Sequence, residues 1–83
     1  MPPKLRSLSG RDVLRALGAC GLVVVSTRGS HAKLRHVLED GTRQTLTIPL
    51  HRALAAGTLQ AIFRQACRYL PEAELRPQFY GRD

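Results

Sequence analysis

Tryptophan is missing from this 83-residue chain, and Phe63, Tyr69, Phe79 and Tyr80 are its only phenylalanines and tyrosines. Aliphatic side chains must therefore build the core. That core must be economical, because a chain of this length buries only about 60–65% of its unfolded surface. Cysteine is almost as scarce. Cys20 and Cys67 are the only two, and no C-x-x-C or zinc-ligand spacing occurs. A disulfide framework and a recognised zinc motif are thereby excluded. Both thiols fall on apolar helix faces and read as reduced, buried packing residues. Acidic residues number 6 against 13 lysines and arginines, a formal net charge of +7. Such an excess favours a polyanionic partner or an acidic protein. No apolar run approaches the roughly 20 residues that span a bilayer, and "MPPKLRS" lacks a signal-peptide h-region. The expectation is a soluble, cytoplasmic protein with no membrane partner. Glycine-rich phosphate loops, a Ser-His-Asp order and paired carboxylates are absent as well. The Gly29–Ser30 step matches no nucleophile elbow.

What is present reads as one domain over 1–83, with its core at about 4–70 and a short extension at 71–83. After the polar lead-in "MPPKLRSLS", Ser9 is placed as a helix N-cap with Asp12 three residues on as the capping-box acid. Val13, Leu14, Leu17 and Cys20 recur at three- and four-residue spacing, predicting a helix over 10–20 that Gly21 ends. "LVVVST", 22–27, is short and β-branched and reads as a strand. A turn at 28–30 leads to a second strand, 31–38, whose residues alternate between faces. Ala32, Leu34 and Leu38 share the inner face, with His36 on the same parity at its edge. His31, Lys33 and Arg35 share the outer one. A turn around Gly41 precedes a third strand, 43–50, with Leu46, Ile48 and Leu50 inward and Arg43, Thr45 and Thr47 outward. Pro49 marks that strand as an edge or an ending. A loop over 51–56 leads to a second helix from Gly57–Thr58 to Leu70, carried by Leu59, Ile62, Phe63, Ala66 and Leu70 and stopped by Pro71. In the tail, Pro77 and Gly81 argue against anything longer than a turn of helix. The fold class is α+β: helix, three strands, helix, a three-stranded antiparallel sheet with two helices on one face and the other face open.

That open face carries the chemistry. "RGSHAKLRH", 28–36, holds two histidines, two arginines and a lysine. One reading is a polar strand on a solvated face. The other is an imidazole presented to a polyanion. Histidine takes and gives protons near neutrality, and cleaving RNA without a metal needs a base for the 2′-hydroxyl and an acid for the leaving 5′-oxygen. It also needs cations for the transition-state phosphate. Arg28, Lys33 and Arg35 stand close in sequence to His31 and supply that charge. Arg43, Arg52, Arg64 and Arg68 would extend a basic track, since phosphate contacts position a nucleic acid without reading it. His51 lies in a loop, where functional residues gather. A metal held by His31, His36 and His51 would need a carboxylate from Glu39 or Asp40.

The strings "LSGRDVLRALGACGLVVVSTRGSHAKLRH", "LTIPLH" and "GTLQAIFRQA" together resemble the HicA, or YcfA-like, mRNA interferase family over about Lys4 to Cys67. That resemblance implies a double-stranded-RNA-binding-domain-like fold and a toxin that is a ribosome-independent mRNA endoribonuclease. It also implies a HicB-type antitoxin as partner, covering the active site and so able to form a hetero-oligomer; the residues themselves call for no cofactor or metal. The family's histidine after Gly-Ser falls on His31, the expected catalytic group. The histidine after its third strand falls on His51. Many members carry a second histidine directly after the first; here Ala32 stands there, so a second proton-transfer group must come from elsewhere. Around His31, the expected RNA and phosphate contacts are Arg28, Gly29, Ser30, Lys33, Arg35, Arg43 and His51. Two other readings stand beside this one. A non-catalytic RNA-binding module of the same fold would explain the charge. A docking protein for an acidic partner would explain why "LVVV" is apolar on both faces.

Overall fold

A computed structural model describes residues 3–81. Met1, Pro2, Arg82 and Asp83, the outermost residues of the lead-in and the tail, lie outside the described residues. Helix α1 (Gly10–Ala19) begins where its cap dictates. The Ser9 hydroxyl accepts from the Asp12 amide at 3.1 Å, and the Asp12 carboxylate accepts from the Ser9 amide at 2.9 Å. Two of the helix's orphan N–H donors are thus satisfied reciprocally. Its Val13, Ala16 and Leu17 are buried. Gly21, at φ +98°, turns the chain out of the helix toward the sheet.

Ahead of α1 runs the short strand β1 (Lys4–Leu5); after it come β2 (Val23–Arg28), β3 (His31–Val37) and β4 (Arg43–Pro49). The last three form an antiparallel sheet in the order β2-β3-β4. Pro49 ends an edge strand, where its missing N–H breaks no ladder. Inward-facing Ala32, Leu34, Leu46 and Ile48 are buried and join one cluster with Val13, Leu17, Leu59, Ile62, Phe63 and Ala66 of the helices. Gln44 shares that inner parity and is also buried. Its amide donates to the Gln65 carbonyl at 2.7 Å.

Helix α2 (Ala56–Ala66) stops earlier than its apolar stripe suggests. From Cys67 on the chain makes tight turns, yet Leu70 still reaches the core. The larger difference lies in the tail. Instead of an irregular stretch with at most one helical turn, it forms α3 (Glu72–Phe79), followed by β5 (Tyr80–Gly81). Leu75 and Phe79 are fully buried, and Phe79 packs 5.4 Å from the Phe63 ring. Pro77 sits late in this short helix, where the burial of its two neighbours outweighs the lost hydrogen bond. The same tail ties down residues 4–6. β5 pairs antiparallel with β1, Leu5 opposite Tyr80, and the Arg6 amide donates to the Phe79 carbonyl at 2.8 Å. The architecture is thus α+β with three helices, compatible with the double-stranded-RNA-binding-domain-like order of helix, three strands and helix.

The helices cover β3 and β4 but leave β2 overhanging. All six β2 residues are exposed, including Val23 at 63%, Val24 at 45% and Val25 at 43%. No helix among the described residues is long and apolar enough to cross a membrane.

Candidate functional site

The outer face of the sheet is ordered by register. Val23 pairs with Arg35 and Val24 with Leu34, but the next partners are Ser26 with Lys33 and Arg28 with His31. Val25 is the extra residue of a β-bulge. Regular pairing would put Thr27 opposite His31, so the bulge is what brings Ser26 and Arg28 onto the face of His31 and Lys33. Across β3, His31 pairs with Pro49, Lys33 with Thr47, Arg35 with Thr45 and Val37 with Arg43. Reading from the β2–β3 turn, the rows are therefore Arg28–His31–Pro49, Ser26–Lys33–Thr47 and Val23–Arg35–Thr45, then Val37–Arg43.

The first two rows, without Pro49 but with Thr27, line a groove of about 320 Å³, bounded by Ser26, Thr27, Arg28, His31, Lys33 and Thr47. No carboxylate borders it. Among the described residues the ion pairs are Arg15–Asp12 and Arg76–Glu72, both elsewhere. The groove's Arg28 and Lys33 thus keep their charge for a ligand. At its corner His31 is exposed, with Nδ1 3.4 Å from the Ser30 hydroxyl. Gly29 takes φ +58° as the first residue of the two-residue loop, the position at which hairpins favour glycine.

His51 follows β4 on the same parity as Thr47 and Pro49, and its ring centroid lies 6.4 Å from that of His31 at 71°. Three features hold it there. The Leu50 amide donates to the Ser30 carbonyl at 2.6 Å, and the Gly10 amide donates to the His51 carbonyl at 2.9 Å. Gly10 also lets α1 approach so closely that a Cβ there would lie 2.1 Å from the Pro49 carbonyl oxygen.

Of the residues expected at the site, Arg28, Gly29, Ser30, His31, Lys33 and His51 come together. Arg35 stands two rows off, half-buried between Val23 and Thr45. Arg43 is at the far end, about 20 Å from the His31 row at roughly 3.4 Å per residue along β3. His36 faces inward against Gly21, away from the other two histidines. Among the described residues no three His, Cys, Asp or Glu side chains gather as a metal site would require. Cys20 and Cys67 are free and half-buried, and burial pushes both thiols up, away from the reactive thiolate. Ser26 and Thr27 line the groove without a signal in the sequence, most plainly Ser26. Its place depends on the bulge, and three consecutive valines carry no signal of where a bulge falls.

A basic groove with one imidazole at its corner fits several kinds of protein. A family model described as the HicA toxin of bacterial toxin–antitoxin systems matches residues 10–66, from the start of α1 to the end of α2. The chain belongs to the HicA toxin family. It is accordingly the toxin of a toxin–antitoxin pair, and its partner is an antitoxin. Toxins of this family are generally ribonucleases. The matched stretch contains His31, His51 and the whole groove, while α3 and the β1–β5 pair lie outside it. No curated protein and no solved structure matches the chain significantly.

Proposed function

We propose that this HicA toxin is a ribosome-independent endoribonuclease that cleaves mRNA in the cytoplasm, with His31 as its catalytic histidine. One observation carries the reading: an exposed imidazole at the mouth of a groove whose charged side chains, Arg28 and Lys33, are both cationic. The RNA backbone enters along the outer face of the sheet. Arg28 and Lys33 take the scissile phosphate and offset the charge that builds on it. The Ser30 hydroxyl and the Gly29 amide add hydrogen bonds at the turn, and Arg35 meets the next phosphate along the strand. His31 moves a proton, either from the 2′-hydroxyl or to the leaving 5′-oxygen. Neither step calls on a metal.

A HicB-type antitoxin would silence the enzyme by covering this face. Such a cover would also shield Val23, which stands exposed on that face opposite Arg35. The test is incubation of the purified toxin with defined mRNA in excess chelator, with no ribosomes present. Fragments should accumulate, and they should fail to form when the antitoxin is added first. Intact mRNA in the absence of antitoxin would refute the reading and leave an RNA-binding module.

A further inference from the structure

We infer that His51 is the second proton-transfer group of the site, working opposite His31 on one phosphodiester. The inference rests on the nuclease reading and adds the residue that reading lacks. Transesterification moves two protons, and a lone histidine must otherwise leave one of them to solvent. Two groups can share the work if each reaches a different oxygen on the same phosphorus at hydrogen-bond range, roughly 2.6–3.2 Å. Rings whose centroids stand 6.4 Å apart and at 71° to one another leave room for a phosphate between them.

The placement is built into the fold. Exposed as it is, the His51 side chain fills no gap in the core. Its backbone is nonetheless tied to two separate elements, by the Gly10 amide on one side and by the Leu50–Ser30 bond on the other. The second tie joins it to the very turn that carries His31. A Cβ on residue 10 would strike the Pro49 carbonyl and Leu50 Cα, so the first tie requires glycine there. Among the groove's side chains Lys33 could also give a proton, but it is the cation assigned to the phosphate. Carboxylates, tyrosines and cysteines are missing from the groove lining, and His36 lies on the other side of the sheet.

In the reaction, the imidazole of one histidine takes the 2′-hydroxyl proton as the 2′-oxygen bonds to phosphorus. The P–O5′ bond breaks, and the 5′-oxygen takes a proton from the imidazolium of the other. The products are a 2′,3′-cyclic phosphate and a 5′-hydroxyl. The two rings have then exchanged protonation states, and they reset through water.

The experiment compares wild type, His31→Ala and His51→Ala on ordinary RNA and on RNA with a sulfur in place of the bridging 5′-oxygen, a leaving group that needs no proton. Circular dichroism first verifies that each variant is folded. On ordinary RNA, His51→Ala should lower kcat by about 10²–10⁴-fold with little change in KM. On the sulfur substrate, one of the two variants, the one lacking the acid, should recover most of its rate while the other stays slow. The inference is overturned if His51→Ala cleaves ordinary RNA nearly as fast as wild type, if only its KM changes, or if the sulfur substrate rescues neither variant or both. Any of these beside an inactive His31→Ala leaves the nuclease reading standing. Wild type that cuts neither substrate overturns both.

Discussion

Two glycines of the same helix should respond to alanine with opposite signs. Gly10 opens α1 and lies so close to the end of β4 that an added Cβ would stand 2.1 Å from the Pro49 oxygen and 2.7 Å from Leu50 Cα. Both obstacles are backbone, so neither can swing aside. Relief requires α1 and the 49–51 segment to part by more than an ångström, which breaks the 2.9 Å bond from the Gly10 amide to the His51 carbonyl. Overpacking costs about 1–3 kcal/mol, and the lost hydrogen bond about 0.5–1.5 kcal/mol. Alanine's better helix propensity returns about 0.5–1 kcal/mol. The net loss for Gly10→Ala is about 1–3 kcal/mol, or a fall in Tm of about 5–20 °C for a domain of this size. Gly18, near the other end of α1, has nothing within 4 Å of an added Cβ. There only the propensity remains, and Gly18→Ala should raise Tm by about 2–6 °C. Thermal melts of the three proteins at one pH decide the matter. Equal shifts, or a Gly10→Ala variant as stable as Gly18→Ala, would refute the close approach and with it the structural anchoring of His51.

Three further outcomes follow from the same geometry. The hydrogen bonds from Ser9 hold the Asp12 carboxyl below its usual range, so the folded state binds its proton less readily than the unfolded one. Its stabilisation is present above about pH 4 and lost as the pH falls through the folded value. The Tm gap between wild type and Asp12→Asn, clear at pH 7, should close in strong acid; a gap independent of pH would contradict the capping box. Phe79 is fully buried against Phe63, and Phe79→Ala should cost about 3–5 kcal/mol in denaturant melts. A cost below 1 kcal/mol would remove α3 from the core. Arg28→Ala should flatten the dependence of log Kd for single-stranded RNA on log salt by about 0.7. Arg43→Ala should change it less, because Arg43 stands at the opposite end of the sheet; equal effects would show that the RNA runs the whole length of the face.

Much of this architecture is legible before any coordinates. Ser9 and Asp12 announce the start of α1, strict alternation assigns His31, Lys33 and Arg35 to one face, and Pro49 marks an edge. These are local rules acting on residues that obey them. The parts that escape depend on contacts distant in sequence. α3 is masked because Pro77 looks like a breaker, and only packing of Leu75 and Phe79 against α2 and α1 overrides it. The two-residue strands β1 and β5 are too short to show a period. The bulge at Val25 sits among identical side chains, so pattern alone cannot say that Arg28, rather than Thr27, faces His31. The nearness of His51 to His31 likewise comes from Gly10 and Ser30, each remote from His51 in the chain.

The central claim is that His31 performs chemistry and is not merely part of a basic surface. The most direct measurement pairs cleavage with binding for wild type and His31→Ala, on the same mRNA and at the same salt. The account predicts a cleavage rate lower by at least 10²-fold, with Kd within about threefold of wild type. Cleavage and binding that fall together, or cleavage that survives the substitution, would contradict it.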